Sequence, residues 1–143
     1  MILPKYDQPP KPTASEEKKA YAIVDHRDGG VCVKCRRTHP IHGINHDHRK
    51  NRSQGGRTVA SNLGLLCGSG TTGCHGWKTQ NPAEATEQGY SVPMGIEPAD
   101  WPARRWFSAN HGVLEQGWAL YTDDGDVIRI TDAHADRLMR GEA

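Results

Sequence analysis

Four cysteines, grouped in two pairs, limit more than any other feature how this chain can fold. Cys32 and Cys35 are separated by two residues, whereas Cys67 and Cys74 are separated by six. A C-x2-C spacing is typical of a turn that directs two thiolates at one metal ion. A thioredoxin-like redox site would need a surrounding βαβ pattern, which the sequence does not show. The hydrophobic fraction of 35% is low for a globular domain, and a core this thin usually needs a metal or disulfides.

The second cysteine pair favours one site that contains all four thiolates. Three of the six residues between Cys67 and Cys74 are glycines, which allow the backbone to turn back on itself. The first 13 residues show no apolar segment of signal-peptide type, which favours metal ligation over disulfide bonds. We therefore predict a structural zinc site with four cysteine ligands, and four buried thiols that bind no metal are the alternative.

The 31 residues between Cys35 and Cys67 are too many for a compact zinc ribbon. We predict two short strands, over residues 41–49 and 62–66, joined by a basic loop that contains glycine. A helix is predicted to begin at residue 74 and to reach residue 79. This segment is therefore expected to fold as strand, loop, strand and helix, held by the metal.

The flanking segments carry clear turn and capping signals. Residues 1–14 contain four prolines and are predicted to be an extended or disordered arm. Thr13 and Glu16 fit a capping box that opens a helix. The other predicted elements are helices over 15–26, 82–88 and 132–140, a loop over 91–103, and a β-hairpin over 118–131 with an Asp-Gly turn. Trp101, Trp106 and Phe107 are expected to pack back on the zinc region.

The net charge of +1 conceals two oppositely charged halves. Residues 1–80 hold 13 Lys and Arg against 6 Asp and Glu, whereas residues 81–143 hold 5 against 11. The half that contains the cysteines is therefore basic, which suggests a polyanionic partner. An unevenly charged, solvated surface is the alternative. Apolar runs of about 18 residues, which a membrane span needs, are missing, so we expect a cytoplasmic protein without a membrane segment.

Five short motifs in a fixed order carry a family resemblance. They are Cys32-Val33-Lys34-Cys35, Asp47-His48-Arg49, Gly55-Gly56, Asn62-Leu63-x-x-Leu66-Cys67 and Cys74-His75-x-x-Lys78. Over about residues 20–80 this order resembles the HNH endonucleases of the ββα-metal class. Residues 75–85 also resemble HNH proteins encoded by bacteriophages of actinobacteria.

The resemblance implies an α+β fold with a small, zinc-stabilised, treble-clef-like ββα-metal core. It places a nuclease domain at residues 15–90, between the arm at 1–14 and an acidic C-terminal extension at 91–143 that contains the hairpin and a helix. Cys32, Cys35, Cys67 and Cys74 would hold the structural zinc.

The resemblance also assigns the catalytic roles. Asp47 and His75 match ligands of a catalytic divalent ion, His48 matches the general base that activates water, and Asn62 matches the residue that holds the ββ loop and orients His48. Residues next to each other on a strand point to opposite faces, which also favours different roles for Asp47 and His48. A site with two protein ligands suits Mg²⁺ or Mn²⁺, although Ni²⁺ or Zn²⁺ could occupy it.

Two departures from the family pattern are visible. Six residues separate the second pair of cysteines, where two are usual, and Thr79 stands where some relatives have a further histidine. His46 could contact phosphate, replace a ligand or simply be exposed. His39 and His42 are predicted to lie on the surface.

A basic cluster follows the central motif. Because polyanion binding requires positive charge, Arg49, Lys50, Arg52, Arg57 and Lys78 are predicted to contact the DNA backbone. Each of them could instead be a solvated charge. Trp77 is expected to belong to the core rather than to stack on a base.

Three functions remain open at this stage. The first is a metal-dependent DNA endonuclease that nicks or cuts double-stranded DNA. The second is a non-catalytic zinc-binding adaptor for DNA or protein, and the third is a zinc-stabilised scaffold in a packaging complex. The resemblance to phage proteins implies action in the host cytoplasm beside the terminase large subunit, during genome cleavage and packaging.

Overall fold

The computed structural model describes residues 10–38 and 43–142 and shows a mixed α+β chain with two small antiparallel sheets. The helices are α1 (Ala14–Asp28), α2 (Gly73–Gln80), α3 (Pro82–Glu87) and α4 (Asp132–Met139), and the strands are β1 (Ile44–His48), β2 (Leu63–Cys67), β3 (Ala103–Ser108), β4 (Leu114–Tyr121) and β5 (Val127–Ile130). The predicted α+β class is therefore confirmed. Most of the predicted arm, the start of the first predicted strand, His39 and His42 lie outside the described residues.

The first sheet is the hairpin of β1 and β2. Asp47 lies opposite Gly64 and His48 lies opposite Leu63 in the antiparallel register. Every residue of β2 is buried. One apolar cluster joins β2 to α1, and a second joins it to the cysteines, α3 and the segment after α3. Strand β2 lies between these two apolar clusters and thus fixes the position of its partner β1 relative to the cysteines.

Helix α1 begins and ends at the signals that its sequence contains. Glu16 donates its backbone N–H to Thr13 Oγ1, and Thr13 donates its own to Glu16 Oε1, so the predicted capping box is present. The helix ends at Gly29, which has a φ of 68°. Asp28, in its last turn, is buried and pairs with Arg27 and Arg105. This buried carboxylate connects α1 to the C-terminal sheet.

The second sheet has the strand order β3-β4-β5. The predicted hairpin is present as β4 and β5, and the side chain of Thr131 caps α4. Strand β3 was not predicted. It packs against the cysteine region, as expected for Trp106, whose Nε1 donates to the Lys34 carbonyl at 3.0 Å. The helices in the described part of the chain all lack the length and apolar character of a membrane span.

Candidate functional site

The four cysteines converge at one end of the β1–β2 hairpin. The Sγ atoms of Cys32, Cys35, Cys67 and Cys74 all lie within 4.8 Å of one another. Cys35 Sγ is 3.8 Å from Cys67 Sγ, far more than the ~2.05 Å of a disulfide bond. Two thiolates bound to one tetrahedral zinc at about 2.3 Å lie about 3.8 Å apart. The cluster can therefore hold a metal ion and is compatible with the predicted structural zinc.

The first cysteine pair lies on a tight turn that is tied to the hairpin. Arg36 donates its backbone N–H to the Cys32 carbonyl at 2.9 Å, and Arg36 itself has a φ of 66°. Val33 donates to the carbonyl of Leu65 on β2, also at 2.9 Å. These two bonds direct the turn towards the last residue of β2, Cys67.

The six-residue loop before Cys74 brings the second pair together despite its length. Gly68 and Gly73 have φ values of 91° and 65°, which L side chains rarely adopt. A Cβ at Gly68 would overlap the Thr72 carbonyl, and one at Gly73 would collide with the Cys67 carbonyl. The predicted use of glycine to fold this segment back is therefore confirmed at these two positions.

Hydrogen bonds favour the thiolate form within the cysteine cluster. A hydrogen bond from the Cys74 thiol lowers the pKa of Cys32 to about 4. The same bond and burial raise the pKa of Cys74. Cys74 also donates its backbone N–H to Cys67 Sγ at 3.3 Å. Because the thiolate is the metal-binding form, this hydrogen bond prepares Cys32 for a cation.

A second, smaller centre joins β1 to the first turn of α2. Asp47 is 4% exposed, and its Oδ1 lies 3.4 Å from His75 Nε2. Two ligand atoms about 2.1 Å from one cation, at angles of about 90–110°, lie roughly 3.0–3.4 Å apart. This separation is compatible with a shared divalent ion, and it is also that of a direct contact between the imidazole and the carboxylate.

This second centre offers few protein ligands. Among the described residues, the cysteine cluster is the only group of three or more His, Cys, Asp or Glu side chains close enough to hold a metal. Thr79 Oγ1 donates to the His75 carbonyl at 3.1 Å, so Thr79 supplies no further ligand here. His46 does not join Asp47 and His75 in such a group. Most coordination positions of an ion at this centre would therefore remain for water or substrate.

Lys78, a predicted DNA contact, is buried inside the site. Its Nζ donates to Asp47 Oδ2 at 2.6 Å and to the His48 carbonyl at 2.7 Å. Burial raises the pKa of Asp47, while the Lys78 ammonium opposes that shift. The i, i+3 spacing of His75 and Lys78 puts both on one face of α2, a signal from which this contact could have been predicted.

His48 is half-buried and extends towards the loop that follows β1. Its Nε2 lies 2.9 Å from Thr58 Oγ1, which also accepts a hydrogen bond from Arg52. Burial is the largest influence that lowers the pKa of His48, and the charges of Arg52 and Lys78 add to it. The imidazole is therefore neutral at neutral pH, as a general base must be. Sequence reasoning did not identify the Thr58 contact.

Asn62 is fully buried and holds the loop between β1 and β2. Its Oδ1 accepts the Lys50 backbone N–H at 2.7 Å. Its Nδ2 donates to the carbonyls of Lys50 and Arg57 at 3.0 and 2.9 Å. Asn62 therefore fastens both ends of the loop, and it acts through the backbone as a positioning residue.

Arg49 is a second basic residue that was predicted to contact DNA and is buried. The residue is 4% exposed, and its guanidinium donates to the carbonyls of Ser61, Pro98 and Trp101 at 2.8–2.9 Å. Burial lowers its pKa to about 10, so it remains cationic. Arg49 thus joins the loop after β1 to the segment before β3.

The other predicted DNA contacts lie on the accessible side of the loop. The Arg52 side chain is 60% exposed, with a 3.7 Å ion pair to Glu17. Lys50 and Arg57 are partly exposed, and Lys50 donates weakly to the Ile96 carbonyl at 3.3 Å. These three residues remain predicted phosphate contacts.

Comparison of the chain with protein-family models, curated proteins and solved structures found no significant match. The resemblance to HNH endonucleases therefore rests on the sequence motifs.

Proposed function

We propose that this chain is a metal-dependent DNA endonuclease of the HNH type, with a zinc-stabilised, treble-clef-like ββα-metal core. It would hydrolyse phosphodiester bonds and nick or cut double-stranded DNA. The observation that carries the proposal is the 3.4 Å separation of Asp47 Oδ1 and His75 Nε2. A purely structural zinc module has no need of this second pair of ligands beside a neutral histidine.

Each residue of the centre has a distinct task in this proposal. Asp47 and His75 hold the divalent ion, which is Mg²⁺ or Mn²⁺ by preference, with Ni²⁺ or Zn²⁺ as alternatives. When bound, this ion neutralises phosphate charge and assists the leaving oxygen. Neutral His48 accepts the proton of the attacking water. Asn62 keeps the loop, and with it His48, in place.

The biological setting follows from the sequence resemblance alone. HNH proteins encoded by actinobacterial phages resemble residues 75–85 of this chain. We therefore place the activity in the host cytoplasm, beside the terminase large subunit, during genome cleavage and packaging.

A non-catalytic zinc-binding DNA or protein adaptor of a packaging complex is the second candidate. Lys78 favours it, because its ammonium already neutralises Asp47 at 2.6 Å. A buried ion pair of this kind can serve a purely structural purpose. If the protein is such an adaptor, it binds DNA or another protein but cleaves no DNA, whichever divalent ion is present.

The two candidates differ in a plasmid-nicking assay. Zinc-loaded wild type, His48→Ala and His26→Ala are compared in Mg²⁺ and in Mn²⁺. His26 lies exposed on α1 and serves as the matched control. Loss of a general base typically lowers the rate by about 10²–10⁴-fold, so His48→Ala should fall by this factor while His26→Ala cleaves like the wild type.

Two results would count against the proposal. Equal cleavage by the wild type and His48→Ala would remove His48 as the base. No cleavage of several DNAs by folded, zinc-loaded wild type, in Mg²⁺, in Mn²⁺ or in added Ni²⁺ or Zn²⁺, would favour the adaptor.

A further inference from the structure

A depression of about 470 Å³ lies beside the proposed catalytic centre. It is lined by Tyr21, Asn45, His46, Ser69, Gly70 and His75, and these six residues are called the base cleft below. Its volume lies within the usual range of small-ligand sites. His75 belongs both to the cleft and to the proposed metal ligands, so a molecule in the cleft would lie next to the reacting phosphate.

The chemistry of the lining is that of a nucleobase site rather than a phosphate site. Of the five side chains, three are aromatic rings, one is an amide and one is a hydroxyl, and the sixth residue is a glycine. Among the described residues, the lining contains neither Lys nor Arg, which phosphate binding usually requires. Aromatic rings on which a base can stack, combined with neutral hydrogen-bonding groups, are typical of sites that bind unpaired bases.

One wall of the cleft is fixed by contacts from α1. The rings of Tyr21 and His46 pack with their centroids 4.5 Å apart. His46 Nε2 lies 2.7 Å from Asp25 Oδ1, which holds the imidazole in place. The Tyr21 hydroxyl accepts a hydrogen bond from Arg52 at 3.4 Å. These contacts order the wall before any ligand binds.

The opposite wall is the loop that joins β2 to α2. Ser69 donates its backbone N–H to the Thr72 carbonyl at 3.0 Å, and the two hydroxyls lie 2.9 Å apart. Asn45 Nδ2 on β1 donates to the Gly68 carbonyl at the start of this loop. The amide of Asn45 therefore connects the strand to the loop across the cleft.

Arg52, a predicted phosphate contact, connects the cleft to the proposed DNA-binding side of the loop. This exposed guanidinium contacts both Tyr21 in the cleft wall and Thr58, the partner of His48. A phosphate that pairs with Arg52 would thus lie between the cleft and the proposed base. The neighbouring nucleotide can enter the cleft only when its base has left the helical stack.

We propose that the base cleft binds one unstacked DNA base next to the cleaved phosphodiester bond. DNA that carries an unpaired nucleotide at this position is then bound in preference to fully paired DNA. This inference rests on the proposed function and specifies the substrate of the same site.

The test uses the full-length, zinc-loaded His48→Ala protein in Mg²⁺, so that the DNA stays intact. The probes are two duplexes with one central 2-aminopurine, which either pairs with thymine or faces an abasic site. Base stacking on an aromatic side chain contributes about 1–3 kcal/mol, so the unpaired probe should bind at least about fivefold more tightly. Its fluorescence should also be quenched on binding.

Gly70 offers a variant that fills the cleft without disturbing the fold. A Cβ there meets no atom within 4 Å, and its φ is not in the left-handed range. Gly70→Leu in the His48→Ala background should abolish the preference for the unpaired probe, whereas Gly70→Ala should retain it. Tyr21→Ala should also abolish it, and Tyr21→Phe should retain it. Zinc content and the midpoint of thermal unfolding verify that each variant is folded.

The outcomes separate the inference from the proposed function. Equal binding of the two probes by the parent protein overturns the inference and leaves the endonuclease proposal intact. A preference that survives both Gly70→Leu and Tyr21→Ala also overturns it, because the unpaired base then binds elsewhere. Failure to bind either duplex at low salt contradicts DNA as the substrate and overturns both.

Discussion

The two candidate metal centres meet at the start of α2, yet they are built in opposite ways. Cys74 and His75 are neighbours in the chain but belong to different centres. In the first centre, four sulfurs within 4.8 Å of one another can supply all four ligands of one zinc ion. The second supplies Asp47 and His75 and leaves the remaining positions of an ion open. A closed set suits a metal that holds the chain together, and an open set suits one that must also bind substrate.

The charges of the two centres differ as well. A hydrogen bond from the Cys74 thiol lowers the pKa of Cys32 and so stabilises its thiolate. Asp47 already has the Lys78 ammonium at 2.6 Å. The cysteine cluster thus contains a thiolate that a metal cation would bind, whereas the Asp47 carboxylate is already paired with Lys78. We expect tight zinc in the first and weak, exchangeable metal in the second.

Removal of one cysteine should have the largest effect. Structural zinc in small domains contributes on the order of 10 kcal/mol to folding, so Cys67→Ser should lose its zinc and most of its folded population. Zinc analysis and circular dichroism measure both. Ser69→Ala, in the exposed loop two residues later, is the control and should keep about one zinc per chain. A folded Cys67→Ser protein without zinc would show that the cluster does not hold the chain together.

Lys78→Met should have the next largest effect and tests the charge balance of the open centre. A buried carboxylate that loses its partner typically costs about 3–5 kcal/mol, so the midpoint of thermal unfolding should fall. Added Mn²⁺ should raise this midpoint more in the variant than in the wild type, because the ion replaces the missing positive charge at Asp47.

Lys18→Met, on the exposed face of α1, is the control for Lys78→Met and should respond to Mn²⁺ like the wild type. Lys78→Arg keeps the positive charge and should show a smaller Mn²⁺ effect than Lys78→Met. An unchanged stability of Lys78→Met would mean that the ion pair does not balance Asp47.

Arg52→Ala should have the smallest effect and concerns the accessible side of the open centre. Loss of one phosphate contact should weaken DNA binding and lower the slope of log K against log salt by about 1. Thermal stability should change little, since the side chain is 60% exposed. Arg49 is the buried counterpart of Arg52. Arg49→Met leaves carbonyl acceptors without a donor, at a cost of about 1–3 kcal/mol each. This variant should therefore mainly destabilise the fold. A salt slope identical to that of the wild type would remove Arg52 from the DNA contacts.

Local signals allowed much of the fold to be predicted from the sequence. The capping box at Thr13, the Asp-Gly turn before β5 and the two cysteine spacings each depend on residues that are close in the chain. Strand β3 lacks such a signal, because Arg104 and Arg105 interrupt its apolar pattern. In the structure their guanidinium groups lie over the rings of Trp118 and Tyr121 on β4, at 4.8 and 5.7 Å from the ring centroids. These partners are distant in sequence and could not be inferred from the residues around β3.

Burial is the property of the site residues that the sequence did not predict. Asp47, His48, His75 and Asn62 could be named from motif order, because the motifs themselves are short. Whether a basic residue next to these motifs is exposed depends on segments that are distant in sequence but pack against it. Two of the three acceptors of Arg49 belong to Pro98 and Trp101, which lie 49 and 52 residues away in the sequence. Composition therefore predicted that this half of the chain is basic. It could not predict which of the basic side chains are exposed.

The long reach of Arg49 also sets an order of events during synthesis. The cysteines, the hairpin and α2 are complete once residue 80 has left the ribosome, so zinc can bind to the nascent chain at that stage. The Arg49 guanidinium then still lacks two of its three acceptors, and the end of β1 is secured only after Trp101 has emerged. The half of the chain that contains the cysteines can thus fold early. Strand β1, which carries Asp47 and His48, gains its last contacts through Arg49 only after the acidic extension has been synthesised.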